Sequence, residues 1–321
     1  MSVGEDFVRT ADAFRPELLA HCYRMVGSVH DAEDLVQETY LRAWRSYDRF
    51  EGRASLRTWL YRIATNTCLT ALERGSHRPL PAGIGAPSTD PAQRLAPEQP
   101  EVPWLQPIPD RLISADAADP AAIAVSRDSV RLAFVAALQH LSARQRAVLI
   151  LRDVLAWPAS EVAELLDTSV QSVNSALQRA RARLAQITDF NSAEPSDVES
   201  RSLLRRYVEA MQNADMTGLA RLLREDVEME MPPIPTWFVG RDAVAGFLVN
   251  RVLVKENRWR YLPARANSQP AFAAYLQDAD GVFLAHGIQV LTIDGDHIAR
   301  IVAFLDPSLM SPFGLPTSLK G

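Results

Sequence analysis

The sequence predicts a multidomain protein: two all-α modules, an extended connector between them, and an α+β domain with a curved antiparallel sheet. Three observations carry this prediction. Apolar residues recur at spacings of three and four over residues 5–75 and again over about 121–188, with few breakers. Between these stretches, residues 79–120 hold 10 of the 21 prolines and show no periodicity, which marks an extended linker. After Pro195 and Ser196 the pattern changes class, from helical spacing in 197–224 to β-branched and aromatic runs. A chain of 321 residues is also too long for one typical core.

Residues 1–78 form the first module. Phe7, Phe14, Leu18, Leu19 and Tyr23 mark one helix; Leu35, Val36, Tyr40 and Trp44 mark a second, with a cap expected at Asp31; Leu56, Leu60 and Ile63 mark a third. Asp31, Asp34 and Glu38 repeat at three and four beside the second apolar stripe, an acidic face suited to a basic partner. Further on, "FEGRASLRTWLYRIATNTCLTALER" (50–74) mixes Phe50, Trp59 and Tyr61 with Arg53, Arg57, Arg62 and Arg74. Single-stranded DNA needs this mixture, because aromatic faces stack on unpaired bases while guanidiniums hold the backbone. Trp59 shares a face with Ile63, so a place in the core is open to it as well.

The second module, 121–188, ends in "EVAELLDTSVQSVNSALQRARARL" (161–184), which reads as two helices joined by a tight turn. Val162, Leu165 and Leu166 form one apolar stripe, and Val173, Leu177, Ala180 and Leu184 a second. Ser169 is the expected N-cap of the second helix, and Asp167 stands where glycine often occupies the turn. Outside the second stripe lie Gln171, Ser172, Asn174, Ser175, Gln178, Arg179 and Arg181. Short hydrogen-bonders come first and cations later, the order of a recognition helix that puts its first turns on base edges and its last near phosphates. The net charge of the chain is −5, but residues 126–188 carry 8 basic against 5 acidic side chains. That local excess permits phosphate contact and predicts weak DNA affinity without a larger partner.

Both modules resemble a known family. "HLSARQRAVLILRDVLAWPASEVAELLDTSVQSVNSALQRARARL" (140–184) is similar to region 4 of a sigma factor of the extracytoplasmic-function type, and "DAEDLVQETYLRAWRSYDRFEGRASLRTWLYRIATNTCLTALER" (31–74) resembles sigma region 2. The resemblance implies that Asp34, Gln37 and Glu38 dock on core RNA polymerase. It further implies that Phe50, Arg53, Arg57, Trp59 and Arg62 bind and open the downstream promoter element, with a flipped base captured near 50–55. Gln171, Ser172, Asn174, Ser175, Gln178 and Arg179 would then read the upstream element. Leu60 occupies a position where primary sigma factors carry tryptophan, which implies weaker melting and stricter promoter choice. The acidic linker 79–120 would thread near the catalytic cleft or serve as a passive tether.

Members of this class typically end soon after region 4, yet about 135 residues follow here. Residues 197–306 resemble a SnoaL-like, ketosteroid-isomerase-like cone, with 307–321 as a tail. "VEMEM", "AFAAYLQ", "VFLAHGIQVLTI" and "IARIVAFL" read as strands, and "DADG" and "DGDH" as turns. The whole arrangement is similar to the actinobacterial SigJ and SigG groups, whose extra domain is thought to regulate the sigma modules in cis. Trp237, Phe247, Phe272, Tyr275 and Phe283 are candidates to line an apolar pocket, with His286 beside them. Of the groups able to serve as acid or base, His286, Asp306, Glu228 and Glu230, no spacing fixes any pair in one site, so no catalytic residue is expected. The tail mixes prolines with Leu309, Met310, Phe313 and Leu315, and is expected to dock elsewhere on the protein.

Cys22 and Cys68 lie in helical apolar runs without CxxC spacing, which predicts neither disulfides nor a metal site. The acidic, polar N-terminus is unlike a signal peptide, and no apolar run approaches the ~20 residues of a membrane helix. The expectation is a cytoplasmic sigma factor without cofactor, partnered by core RNA polymerase and promoter DNA, with a small-molecule ligand of the cone left open. Two alternatives remain: a one-component regulator that senses a ligand and binds an operator alone, and an isomerase or cyclase tethered to DNA-binding helices.

Overall fold

A computed structural model describes residues 10–50, 52, 54–74, 77–114, 127–186, 197–254 and 257–320. Phe7 and Arg53 lie outside them. The chain divides into two compact units. One combines the residues up to Arg78 with Asp110–Thr188; the other combines Pro79–Pro109 with Asp189–Gly321.

In the first unit, helix α1 (Arg15–Val26) starts at a proline and stops at Gly27, whose left-handed backbone (φ 70°) returns its N–H to the Tyr23 carbonyl. Helix α2 (Val29–Ser46) is capped by Ser28, whose side chain accepts from the Asp31 N–H at 3.1 Å. The expected cap at Asp31 is thus three residues late, because an acid in the first turn favours the helix dipole without being the cap. Helix α3 (Leu56–Arg74) packs on both. Leu18, Leu19, Tyr23, Val36, Leu60 and Tyr61 are buried, whereas Trp44 is 57% exposed. Trp44 therefore leaves the core stripe that its spacing suggested, while Leu60 is buried as its spacing predicts.

The same unit contains α4 (Leu132–Leu138) and α5 (Ala143–Leu149), the latter closed at its start by a reciprocal Ser142–Gln145 capping box. A π-helical turn, Ile150–Val154, then leads to α6 (Ala159–Leu165) and α7 (Val170–Ala185). Asp167 takes the left-handed conformation of the turn itself (φ 48°), which aspartate tolerates better than most residues. Ser169 caps α7 by accepting from the Ser172 N–H.

The second unit is α+β. Helices α8 (Asp197–Gln212) and α9 (Met216–Leu222) precede β1 (Leu223–Met231) and β2 (Ile234–Val239); α10 (Arg241–Phe247) runs into a π turn; then come β3 (Trp259–Ala266), β4 (Gln269–Gln277), β5 (Phe283–Asp294) and β6 (His297–Phe304). The strand order is β2-β1-β6-β5-β4-β3, and the short β7 (Ser318–Leu319) pairs with β5. The sheet is open and mixed rather than purely antiparallel, since β1 and β6 run parallel. A parallel neighbour needs a long crossover, and everything from β2 to β5 supplies it.

Alternation along the strands gives the sheet two buried faces. Inward, Met229, Phe238, Tyr261, Phe272, Leu291 and Ile301 join the apolar sides of α8, α9 and α10 in one core. Outward lie Glu228, Glu230, Arg300, Val302, Tyr275 and Trp237. That face is covered by two further segments of the same unit. The tail buries Leu309, Met310 and Phe313, and Tyr275 donates its hydroxyl to the Pro316 carbonyl at 2.9 Å. Docking of the tail on the sheet agrees with its apolar composition.

Residues 79–109 form the other cover. They carry little regular structure, as their prolines require, and they lie as a strap on the sheet. Leu80, Trp104, Leu105 and Ile108 are buried. Ser88 bridges alongside Phe238 on the edge strand β2. The Trp237 indole donates to the Gly85 carbonyl at 2.8 Å, the Ala96 N–H to Thr236 Oγ1 at 2.9 Å, and the Ile108 N–H to Asn267 Oδ1 at 3.1 Å. Glu230, fully buried, is paired with Arg300 and takes the Ala82 N–H at 2.8 Å.

Candidate polymerase and promoter interfaces

Helix α7 carries the clearest surface. Val173, Leu177, Ala180 and Leu184 are buried, and this turns Gln171, Ser172, Asn174, Gln178 and Arg179 into solvent, with Ser175 half-buried at the edge. The six residues singled out from the sequence thus share one face. Arg181 is engaged separately, by Asp153 at 2.6 Å.

On α2, Asp34 and Gln37 are exposed and Glu38 is half-buried beside Arg42, 2.7 Å away. Asp31 is drawn off this face by an ion pair with Arg78. Sequence reasoning missed the apolar part of the surface: Leu41 is 50% exposed, and with Gln37, Tyr40 and Trp44 it lines a groove of about 530 Å³. An exposed leucine and tryptophan one turn apart mark a contact surface. The helical spacing of Trp44 reads as core, and Leu41 lies outside the apolar stripe read from the sequence.

At the junction of α2 and α3, three aromatics gather. Phe50 lies 4.9 Å from Trp59 and 6.1 Å from Tyr47, centre to centre, and Phe50 and Trp59 are half-buried. Tyr47 was not anticipated. Arg57 is held bidentately by Glu17 (Nη2 to Oε2 2.6 Å, Nε to Oε1 3.0 Å) and lies over the Tyr61 ring. Tyr61 itself is 1% exposed, a core residue rather than a stacking platform. Arg62 pairs with Glu164 of α6 at 2.8 Å, and Arg62 holds the Glu164 carboxyl below its usual range. Arg53 is outside the described residues.

That last pair belongs to a seam inside the first unit, where α1 and α3 meet α4 to α6. Arg24 donates to Ser129 Oγ at 2.8 Å and to its carbonyl at 3.2 Å. Arg146 donates to the Met25 carbonyl, to Gln139 Oε1 at 2.9 Å and to the Gln139 and Leu141 carbonyls at 3.3 Å. Burial pushes both guanidiniums down to about 10. Trp157 meets Tyr61 edge-on at 6.0 Å, and His77 meets His140 at 5.0 Å.

The pocket residues proposed for the cone do not converge. Phe247 and Phe272 belong to the inner core; Trp237 and Tyr275 lie on the outer face under the strap and the tail; Phe283 sits beneath Arg260. His286 is the extra residue of a bulge, since Ala274 pairs with Gly287 and Tyr275 with Ala285, and it rests edge-on against Trp259. Burial lowers its pKa. A one-residue bulge shifts every later side chain on its strand to the other face, which period-two reading cannot anticipate. The inner core instead holds Tyr207, bonded to Gln289 at 3.1 Å, and Tyr261, whose buried hydroxyl has no hydrogen-bond partner. Among the described residues no group of three or more His, Cys, Asp or Glu could hold a metal, and no helix is long and apolar enough to cross a membrane.

Comparison with known proteins matches this geometry module by module. Residues 10–78 match the Sigma-70 region 2 family, 131–184 Sigma-70 region 4, and 204–301 the SnoaL-like domain. The ECF RNA polymerase sigma factor SigG of Mycobacterium tuberculosis is 50% identical over 319 residues, 98% of this chain and 85% of its own. SigJ of the same organism is 31% identical over 67% of this chain and 62% of its own. The crystal structure of that SigJ overlays with a TM-score of 0.62 at 24% identity, covering 96% of this chain and all of the other, a likeness of fold. With half its residues shared along nearly its whole length, the chain belongs to the ECF RNA polymerase sigma factors, with a SnoaL-like domain fused behind region 4.

Proposed function

We propose that this sigma factor directs promoter-specific initiation from three surfaces and is restrained in cis by its C-terminal domain. Asp34, Gln37 and Glu38, continued by Leu41 and Trp44, dock on core polymerase. Phe50, Arg53, Arg57, Trp59 and Arg62 hold the opened downstream element, with Tyr47 completing the aromatic platform. Gln171, Ser172, Asn174, Ser175, Gln178 and Arg179 read the upstream element. Polymerase performs the chemistry, and the sigma factor works in the cytoplasm beside it.

The observation that carries the restraint is the path of the strap. Residues 79–109, most of the described chain between regions 2 and 4, are bonded to the SnoaL-like sheet. Their span is therefore set by the C-terminal domain, and reaching two separated promoter elements requires them to peel away. Run-off transcription with core polymerase tests this. The full chain should give promoter-specific transcripts, and a Trp237→Phe, Asn267→Gly variant, which loses two strap bonds while keeping the left-handed backbone at 267, should give more. Equal yields would refute the restraint. No transcript, alongside tight operator binding without polymerase, would favour a one-component regulator.

A second reading, a neutral small ligand inside the cone, is favoured by the unpartnered Tyr261 hydroxyl.

A further inference from the structure

Glu164 and Arg62 come from the two different sigma modules, one from the first helix of the helix-turn-helix and the other from the helix read as promoter-facing. Their side chains are 67% and 29% exposed, so the pair sits at the rim of the seam rather than in its core. An ion pair so placed adds little to stability. It nevertheless occupies a cation that the downstream element would use. A carboxylate offers a guanidinium the same charged pair of oxygens as a phosphodiester. The closed form also serves Arg62 incompletely, because its Nε is buried without a hydrogen-bond partner. Trp157 meets the ring of Tyr61, the residue before Arg62, edge-on at 6.0 Å.

We propose that Glu164 is an intramolecular stand-in for a promoter phosphate, holding Arg62 in the closed unit and competing with DNA for it. Arg62 then becomes a DNA contact only when region 4 has moved off α3, and Glu164 sets how readily the downstream element is engaged. This rests on the reading that α3 faces promoter DNA.

The test is a salt-dependent anisotropy titration of the full chain with fluorescein-labelled oligothymidylate. Glu164→Gln should tighten binding by up to about tenfold, the equivalent of one charge-assisted contact. It should also steepen the slope of log K against log salt by ~0.7, the signature of one more phosphate neutralised on a single strand. Arg62→Ala should abolish the gain in the Glu164→Gln background. Glu161→Gln, one turn earlier on the same helix, controls for general charge and should leave the slope unchanged. An equal gain from Glu161→Gln, or a gain that survives Arg62→Ala, would overturn the proposal. So would an unchanged affinity in Glu164→Gln while Trp59→Ala and Arg57→Ala weaken binding. If those two variants also leave binding untouched, the promoter-facing reading of α3 is what fails.

Discussion

Where region 2 meets region 4, the polar contacts are guanidiniums on carbonyls, a hydroxyl and an exposed carboxylate, beside two edge-on ring pairs; where strap and tail meet the sheet, the contacts are leucine, isoleucine, tryptophan and phenylalanine over alternating strand residues. The two closures differ in what opening them costs. Water replaces carbonyl partners of an arginine almost without loss and relieves its desolvation, so a seam of that kind closes a surface conditionally. Apolar cover costs about 25 cal/mol for every Å² re-exposed. The difference teaches that the polar seam is the cheaper of the two closures to open and the apolar cover the costlier.

The largest test of that contrast is a cavity in the cone. Phe272 is 5% exposed and lies between Tyr207 and Tyr261. Phe272→Ala should cost about 3–5 kcal/mol of the second unit's stability. Hydrogen exchange read by segment should show β3 to β5 losing protection while α5 to α7 keep theirs. Equal loss in both would mean that the units do not unfold separately and would break the comparison.

A smaller effect is expected in the seam. Arg146→Ala strands three carbonyls and an amide oxygen and should cost about 2–3 kcal/mol in the first unit. Arg146→Met fills the same length without a charge to desolvate, and should cost less in stability. Denaturant unfolding of the three proteins ranks them. If Met is as damaging as Ala, the guanidinium's hydrogen bonds outweigh its burial, and the seam is tighter than argued above.

How far the sequence foretold this follows from which patterns are local. The recognition face of α7 was legible because one helix with one buried stripe determines what faces out; Val173, Leu177 and Ala180 leave Gln171, Asn174 and Gln178 no other direction. In the second unit β1, β4, β5 and β6 were legible from their apolar runs, whereas β2 and β3 were not read as strands. What failed was whatever depends on a partner far along the chain. Trp44 has core spacing, but it lies in the last turn of α2 and is 57% exposed. Trp237 and Tyr275 have pocket chemistry, but they face segments about 150 residues earlier and 40 later, which no window of periodicity contains. The strap read as a linker because prolines exclude ladders, not because they exclude packing. Parallel pairing of β1 with β6 was invisible to a reading based on hairpin turns.

The smallest test is one of acidity. His21 lies in the interior of region 2, its Nε2 2.9 Å from Thr65 Oγ1, its ring edge-on to Tyr61, with Arg24 close by. Burial, with a further contribution from Arg24, lowers its pKa from 6.5 to about 3. The folded state therefore holds the ring neutral where the unfolded chain would protonate it. Its contribution is intact above pH 6.5 and is lost as pH falls from there toward the folded value, at about 1.4 kcal/mol per pH unit. Denaturant unfolding of the first unit, followed by exchange at α1 and α3, should therefore weaken by roughly that amount between about pH 6.5 and 5.5. His21→Asn, which keeps a hydrogen-bonding group at Thr65 and cannot titrate, should flatten this limb. If the limb persists unchanged, the acid sensitivity belongs to the carboxylates on the surface, and the polar interior of region 2 would no longer distinguish this unit from the apolar-sealed cone.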